Sequence, residues 1–185
     1  KPENHRNKVF KLLHVSSLNN AHKNIIGILK VSQKLLSEKV EFHLTIVGGE
    51  EKAYLKNIVA LGLQQHTTFV PQVDQRIVAD YMQKSDLFVL FSHYENLPCV
   101  ILESFACGLP VVSSDVGGID EFFPSDFGTL VEVNNEDELF LAILAQMNKP
   151  PVDTQKMYIY AKNHFSKHVI AKKFTDIYMN DLTHG

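Results

Sequence analysis

The sequence predicts an α/β protein built on a parallel sheet of about six strands with helices on both faces. Three observations carry this. Short apolar segments alternate with longer ones whose apolar residues recur near a 3.6-residue spacing, the order that builds right-handed strand–helix–strand crossovers. One short segment, Leu87-Phe88-Val89-Leu90-Phe91, is apolar throughout, the pattern of a strand covered on both faces. The strand segments run into loops rich in Ser, Asn, Asp and Gly, the residues that turn the chain and cap the next helix.

The elements follow in order. Val9–Val15 reads as the first strand and Ser16–Asn20 as a loop, before a helix carrying Ile25, Ile28, Leu29, Leu35 and Leu36. Phe42–Val47 is the second strand, closed by Gly48-Gly49. A helix with Tyr54, Leu55, Ile58 and Leu61 on one face then stops at Gly62. Thr67–Val70 is the third strand, and Asp74 caps a helix carrying Ile77, Val78, Tyr81 and Met82. Leu87–Phe91 is the fourth strand. Ser92–Pro98 forms a loop, and a helix runs from Val100 to Cys107 with Pro98 near its start and Gly108 past its end. Pro110–Ser114 and Gly128–Val133 complete the sheet. Helices at about 135–147, 153–164 and 167–182 end the chain, with Ser166 as a candidate cap and Ile170, Phe174, Ile177 and Tyr178 expected to face the core.

Composition sets limits on function. With 18 Lys+Arg against 21 Asp+Glu the net charge is −3, which gives no support to nucleic-acid binding. Apolar residues at 45% and charged residues at 21% describe a globule rather than a disordered chain. No apolar run approaches the ~18–20 residues that cross a bilayer. Cys99 and Cys107, on one helix, would lie roughly 12 Å apart along its axis at 1.5 Å per residue, too far for a disulfide. Two free thiols, expected to be small buried residues, point to a reducing compartment and so to the cytoplasm.

In a parallel sheet, ligands bind at the carboxyl ends of the strands, where strand order switches. The loop after the fourth strand is the richest, Ser92-His93-Tyr94-Glu95-Asn96-Leu97-Pro98-Cys99, with Glu103 in the helix beyond it. A helix start offers unpaired amides to an anion such as a diphosphate. A carboxylate takes two sugar hydroxyls at once, so Glu95 and Glu103 have the chemistry to hold a sugar and a ribose on either side of a phosphate.

The spacing Glu95-x7-Glu103, followed by Ser104-Phe105-Ala106-Cys107-Gly108-Leu109-Pro110-Val111-Val112-Ser113-Ser114-Asp115-Val116-Gly117-Gly118, resembles the carboxyl-terminal, donor-binding domain of retaining GT-B glycosyltransferases of family 4 (glycosyl transferases group 1). The likeness extends over Leu12–Leu18, Leu44–Gly49, Phe69–Val73, Tyr81–Ser92 and Gly128–Val133. It implies a Rossmann-like domain over 8–165, one half of a GT-B fold. Residues 1–7 would be a linker from an N-terminal acceptor domain, and 166–185 a helix crossing back to that domain.

The resemblance also implies roles. Glu95 would be the catalytic carboxylate beside the donor sugar, and Glu103 would hold the ribose. Asn96, Leu97 and Cys99 would offer backbone to the diphosphate and sugar. The base would lie near Val70, and Gly48 and Gly49 would let backbone approach the ligand. A family member commonly carries Arg then Lys after the first strand. Here Ser17 takes the Arg position and Lys23 matches the Lys. The substrate implied is a nucleotide-sugar, UDP- or GDP-linked, with no cofactor, no metal and no nucleic acid. His164 and His168 have a metal-ligand spacing but no third partner in the sequence. The last helix, with Lys167, Lys172 and Lys173, also fits peripheral contact with an anionic membrane.

Rival chemistries lack their motifs. No G-x-G-x-x-G follows a strand, as a dinucleotide-dependent dehydrogenase needs, and no G-x-x-x-x-G-K-[ST] is present. The first strand end lacks the acidic residues of a phospho-acceptor domain. A glycoside hydrolase sets its two carboxylates across a scissile bond, whereas the resemblance sets them along one ligand. The alternative that stands is a non-catalytic nucleotide-sugar-binding or scaffold module, for which Ser17 in place of Arg speaks.

Overall fold

The computed structural model describes residues 9–49 and 51–183; the linker expected over 1–7 lies outside them. The strands β1 (Phe10–Val15), β2 (Phe42–Val47), β3 (Thr67–Val70), β4 (Leu87–Leu90), β5 (Val111–Ser114) and β6 (Gly128–Val131) form one sheet in the order β3-β2-β1-β4-β5-β6. Every pairing is parallel. The expected α/β sheet is therefore present, and its order reverses between β1 and β4. Phe10 to Val15 pair residue for residue with Phe42 to Val47. The register between β1 and β4 covers only Leu12 with Leu87 and Leu13 with Phe88.

Side-chain alternation supplies both faces of the sheet. Leu12, Leu44, Leu87, Val89 and Val112 join one buried cluster with Ile28 and Leu35 of α2 (Ile25–Ser37), Ile58 of α3 (Leu55–Ala60), and Leu139 and Ile143 of α6 (Glu136–Asn148). Leu13, Phe88, Leu90 and Val111 join the other cluster. They pack with Met82 of α4 (Gln75–Gln83), Ile101 and Phe105 of α5 (Cys99–Ala106), and Met157 and Ala161 of α7 (Thr154–Phe165). The continuously apolar β4 thus feeds both cores at once.

Side-chain caps fix where the helices begin. Asp74 accepts from the amides of Arg76 and Ile77, Asn135 from Glu138, and Asp153 from Lys156. Asn24, at φ 47°, ends the one-turn helix α1 (Asn20–Lys23) and opens α2 by accepting from Gly27. That left-handed residue turns the chain between the two helices.

Three expectations are corrected. Phe174, Ile177 and Tyr178 are 57%, 56% and 66% exposed rather than core-facing, because α8 (Lys167–Thr183) packs chiefly on α7 and leaves the sheet. Leu55 is likewise exposed, because Tyr54 and Ile58 carry that packing. Neither cysteine is buried: Cys99 is exposed at the start of α5 and Cys107 is half-buried at its end, both as free thiols. Ser166, extended at ψ 150°, separates α7 from α8, and His164 packs its ring on Tyr160. Among the described residues no helix is long and apolar enough to cross a membrane.

Candidate functional site

The site lies at the carboxyl ends of β1 and β4, where the order of the sheet reverses. Lys23, the last residue of α1, reaches the loop after β4. Its Nζ lies 2.5 Å from Glu95 Oε1. Ser92 Oγ donates to the same oxygen at 2.6 Å. Glu95 is 6% exposed, so its charge is compensated inside the protein by one cation and one hydroxyl. The two loops are also stapled through backbone: the His93 amide donates to His22 O at 2.8 Å, and His93 Nδ1 donates to Ala21 O at 3.1 Å.

A third loop supports Glu95 from below. Gly117, at φ 61°, approaches so closely that a Cβ there would stand 1.9 Å from Glu95 O. No other residue type fits this position without moving the glutamate. Gly48, at φ 111°, is equally confined, since a Cβ would meet Ser16 O at 2.0 Å. At Gly49 a Cβ would meet the Leu18 side chain at 2.8 Å. The close approach that these two glycines permit is thus to the chain's own β1 loop. They line a hollow of about 350 Å³ beside the main cleft.

The main cleft, about 590 Å³, is lined by Ser17, Lys23, Glu95, Leu97, Cys99 and Glu103, together with Ser16, Val73, Gln75 and Val100 among others. Asn96 lines a smaller hollow that shares Ser17, Lys23 and Glu95 with the cleft and adds Tyr94 and His22. Val70 lines none of these spaces. Its carbonyl accepts from the Gly48 amide at 2.9 Å, and the loop after β3 reaches the cleft through Val73, with Gln72 in the hollow beside it. Pro98 stands at the N-cap of α5 and makes no side-chain cap bond, so the first-turn amides of Cys99 and Val100 have no intrahelical acceptor beside the cleft. Glu103 is held from α4, where Gln75 Nε2 donates to its Oε1 at 2.7 Å. Burial first, and the charge of Glu103 after it, raise the Cys107 thiol above its ordinary value.

Sequence reasoning passed over three parts of this site. His14 is fully buried, and burial pushes its pKa down to about 4. The signal was one polar residue in the apolar run Leu12-Leu13-His14-Val15. Gln75 gave no signal beyond its place after a capping Asp. Ser92 looked like an ordinary loop residue.

A family model described as glycosyl transferases group 1 matches residues 1–164. The chain belongs to the glycosyl transferases group 1 family. It is 32% identical over 158 residues to a glycosyltransferase of Haemophilus influenzae, covering 81% of this chain and 44% of that protein. It is also 32% identical over 127 residues to the N-acetyl-alpha-D-glucosaminyl L-malate synthase of Bacillus anthracis, covering 67% of this chain and 32% of the synthase. The chain therefore spans less than half the length of these relatives. Among solved structures, sucrose-phosphate synthase from Thermosynechococcus elongatus superposes with a TM-score of 0.84 at 22% identity, over 96% of this chain and 47% of the other. HepE from Anabaena, solved with UDP-glucose, superposes with a TM-score of 0.79 at 22% identity, over 94% of this chain and 49% of the other. The six-stranded parallel sheet of this chain matches the Rossmann-like half of a GT-B fold.

Proposed function

We propose that this chain is the donor-binding half of a retaining, family 4 glycosyltransferase that uses a UDP- or GDP-linked sugar. The observation that carries the reading is that Lys23, Glu95, Glu103 and the uncapped start of α5 share one cleft at the switch between β1 and β4. The solved complexes of HepE with UDP-glucose and with UDP support a nucleotide-sugar as the ligand class.

The residues divide the work by their chemistry. Lys23 and the first-turn amides of α5 face charge that grows on a departing diphosphate. Glu103, oriented by Gln75, accepts from ribose hydroxyls. Glu95, buried and anionic, lies where positive charge develops on the sugar carbon. The reading assigns no step to a metal or a cofactor. The acceptor is assigned to a second, N-terminal domain of the full protein, which would receive α8. The full protein would act in the cytoplasm, including at the membrane's inner face.

A panel of UDP, GDP, ADP and their sugars, read by thermal shift, tests the donor. Stabilisation by one nucleoside diphosphate, lost in Glu103→Ala, is the expected result. No stabilisation by any of them overturns the reading. Ser17 at the Arg position favours a second reading, a binding module without turnover. Saturable binding of nucleotide-sugar with no transfer by the full-length protein would establish it. The 185-residue chain alone is expected to transfer no sugar to any acceptor.

A further inference from the structure

The ladder between β1 and β4 has its last register pair at Leu13 and Phe88. Beyond it the strands part to form the cleft, and a side chain takes over their connection. His14 Nδ1 lies 2.8 Å from Val89 O. A carbonyl only accepts, so Nδ1 carries the proton. With the ring neutral, Nε2 is an acceptor, and Ser16 Oγ donates to it at 2.8 Å. Ser16 Oγ in turn accepts from the Leu18 amide at 3.0 Å. The ring lies parallel to Phe88, with 5° between the planes. On the far side of the loop, Tyr54 donates its hydroxyl to Leu18 O. The loop needs this hold, because Leu18 is a non-glycine residue at φ 57°.

We infer that His14 is a positioning residue of the donor site: through Ser16 it fixes the Ser16–Leu18 loop, which leads into α1 and Lys23, against the β4 strand that leads to Glu95. The inference builds on the donor-site reading for its functional consequence, whereas the link itself is a property of the free chain. Every polar atom of the relay has its partner. A phenyl group in place of the imidazole keeps the stacking on Phe88 and loses both hydrogen bonds. A glutamine keeps one donor and one acceptor, uncharged.

Two measurements on the 185-residue chain test this. The first needs no ligand. Nitrogen-15 spectra of the His14 ring should show Nδ1 protonated and Nε2 bare at pH 7, and hydrogen exchange at the Leu18 amide should speed up in His14→Phe and in Ser16→Ala. An unchanged Leu18 amide in His14→Phe overturns the link, and if that variant fails to fold, a wild-type ring with Nε2 protonated at pH 7 overturns it, because Nε2 could then not accept from Ser16. The second is titration with UDP and GDP at a temperature where each variant is folded. His14→Phe and Ser16→Ala should each weaken the nucleotide that binds by about tenfold, the scale of one hydrogen bond. The double variant should be no weaker than the poorer single one, and His14→Gln should recover most of the loss. Wild-type affinity in His14→Phe, despite a freed Leu18 amide, overturns the positioning role. Failure of the wild-type chain to bind any nucleotide overturns the donor-site reading, while the Leu18 measurement still decides the link.

Discussion

Lys23 Nζ and Glu95 Oε1, 72 residues apart in sequence, stand 2.5 Å from each other. The cation assigned to the diphosphate and the carboxylate assigned to the sugar neutralise one another in the free cleft. Both are largely removed from solvent, at 21% and 7% side-chain exposure, so neither is an idle surface charge. On the proposed reading, a diphosphate that enters competes with Glu95 for the ammonium, and the carboxylate it releases is available to the sugar.

Lys23→Ala therefore acts twice. It should weaken a nucleoside diphosphate by about ten- to a hundredfold, the loss of a charge-assisted bond, with the bare nucleoside nearly unchanged. It should also lower the melting temperature, because Glu95 then stays buried without its cation and keeps the Ser92 hydroxyl. Glu95→Gln removes the competitor for Lys23 and should bind the free diphosphate more tightly while losing affinity for the nucleotide-sugar. Calorimetric titration of diphosphate, nucleoside and nucleotide-sugar separates these outcomes. Equal losses of diphosphate and nucleoside in Lys23→Ala would assign the lysine to folding.

Gln75 and Glu103 should act as one unit. Glu103→Ala is expected to weaken nucleoside and nucleotide alike by about 1.5–3 kcal/mol. Gln75→Ala should weaken both by a smaller amount, and the double variant should lose no more than Glu103→Ala alone. Additive losses would show that Gln75 touches the ligand itself.

Two glycines with similar φ provide a matched comparison. Gly117 and Gly62 have φ 61° and 69°. A Cβ on Gly117 meets Glu95 O at 1.9 Å, while one on Gly62 has nothing within 4 Å. Gly62→Ala should cost about 1–2 kcal/mol of stability, the strain of the left-handed conformation alone. Gly117→Ala should cost more and also weaken nucleotide-sugar binding, because Glu95 must move. Denaturant melts with donor titrations decide. Equal effects at the two positions would mean that the contact with Glu95 carries no weight.

The strands and the main helices were legible because alternation along the sheet and helical spacing leave period signals in the sequence. Thr67–Val70 has the same bounds in the structure as in the sequence reading. Glu95 and Glu103 were legible through their spacing and Lys23 through the family resemblance, and the structure brings them to one cleft. What escaped depends on contacts distant in sequence. His14 meets Val89 75 positions away, and its apolar neighbours in sequence signal burial without naming the partner its ring would meet. The stripe on α8 shows the converse failure: apolar spacing gives a helix a face, and nothing in the period says what the face meets.

The burial of His14 makes stability depend on pH in a stated direction. An unfolded histidine titrates near 6.5, whereas His14 in the native chain is pushed down to about 4, by desolvation first, with the Lys23 charge acting the same way against the Val89 carbonyl and Glu95. Between those values the unfolded chain takes up a proton that the native chain refuses, so acidification favours unfolding. The contribution is present in full above pH 6.5, falls by about 2 kcal/mol by pH 5, and is exhausted below pH 4 after a loss of about 3 kcal/mol. His43, lowered by burial and by nearby His66, adds in the same direction. His14→Gln removes only the His14 share. Its stability, measured by denaturant melts from pH 7 to pH 4.5, should fall less steeply than that of the wild type. Parallel curves for the two proteins would mean that His14 is not the buried neutral imidazole on which the relay to Ser16 depends.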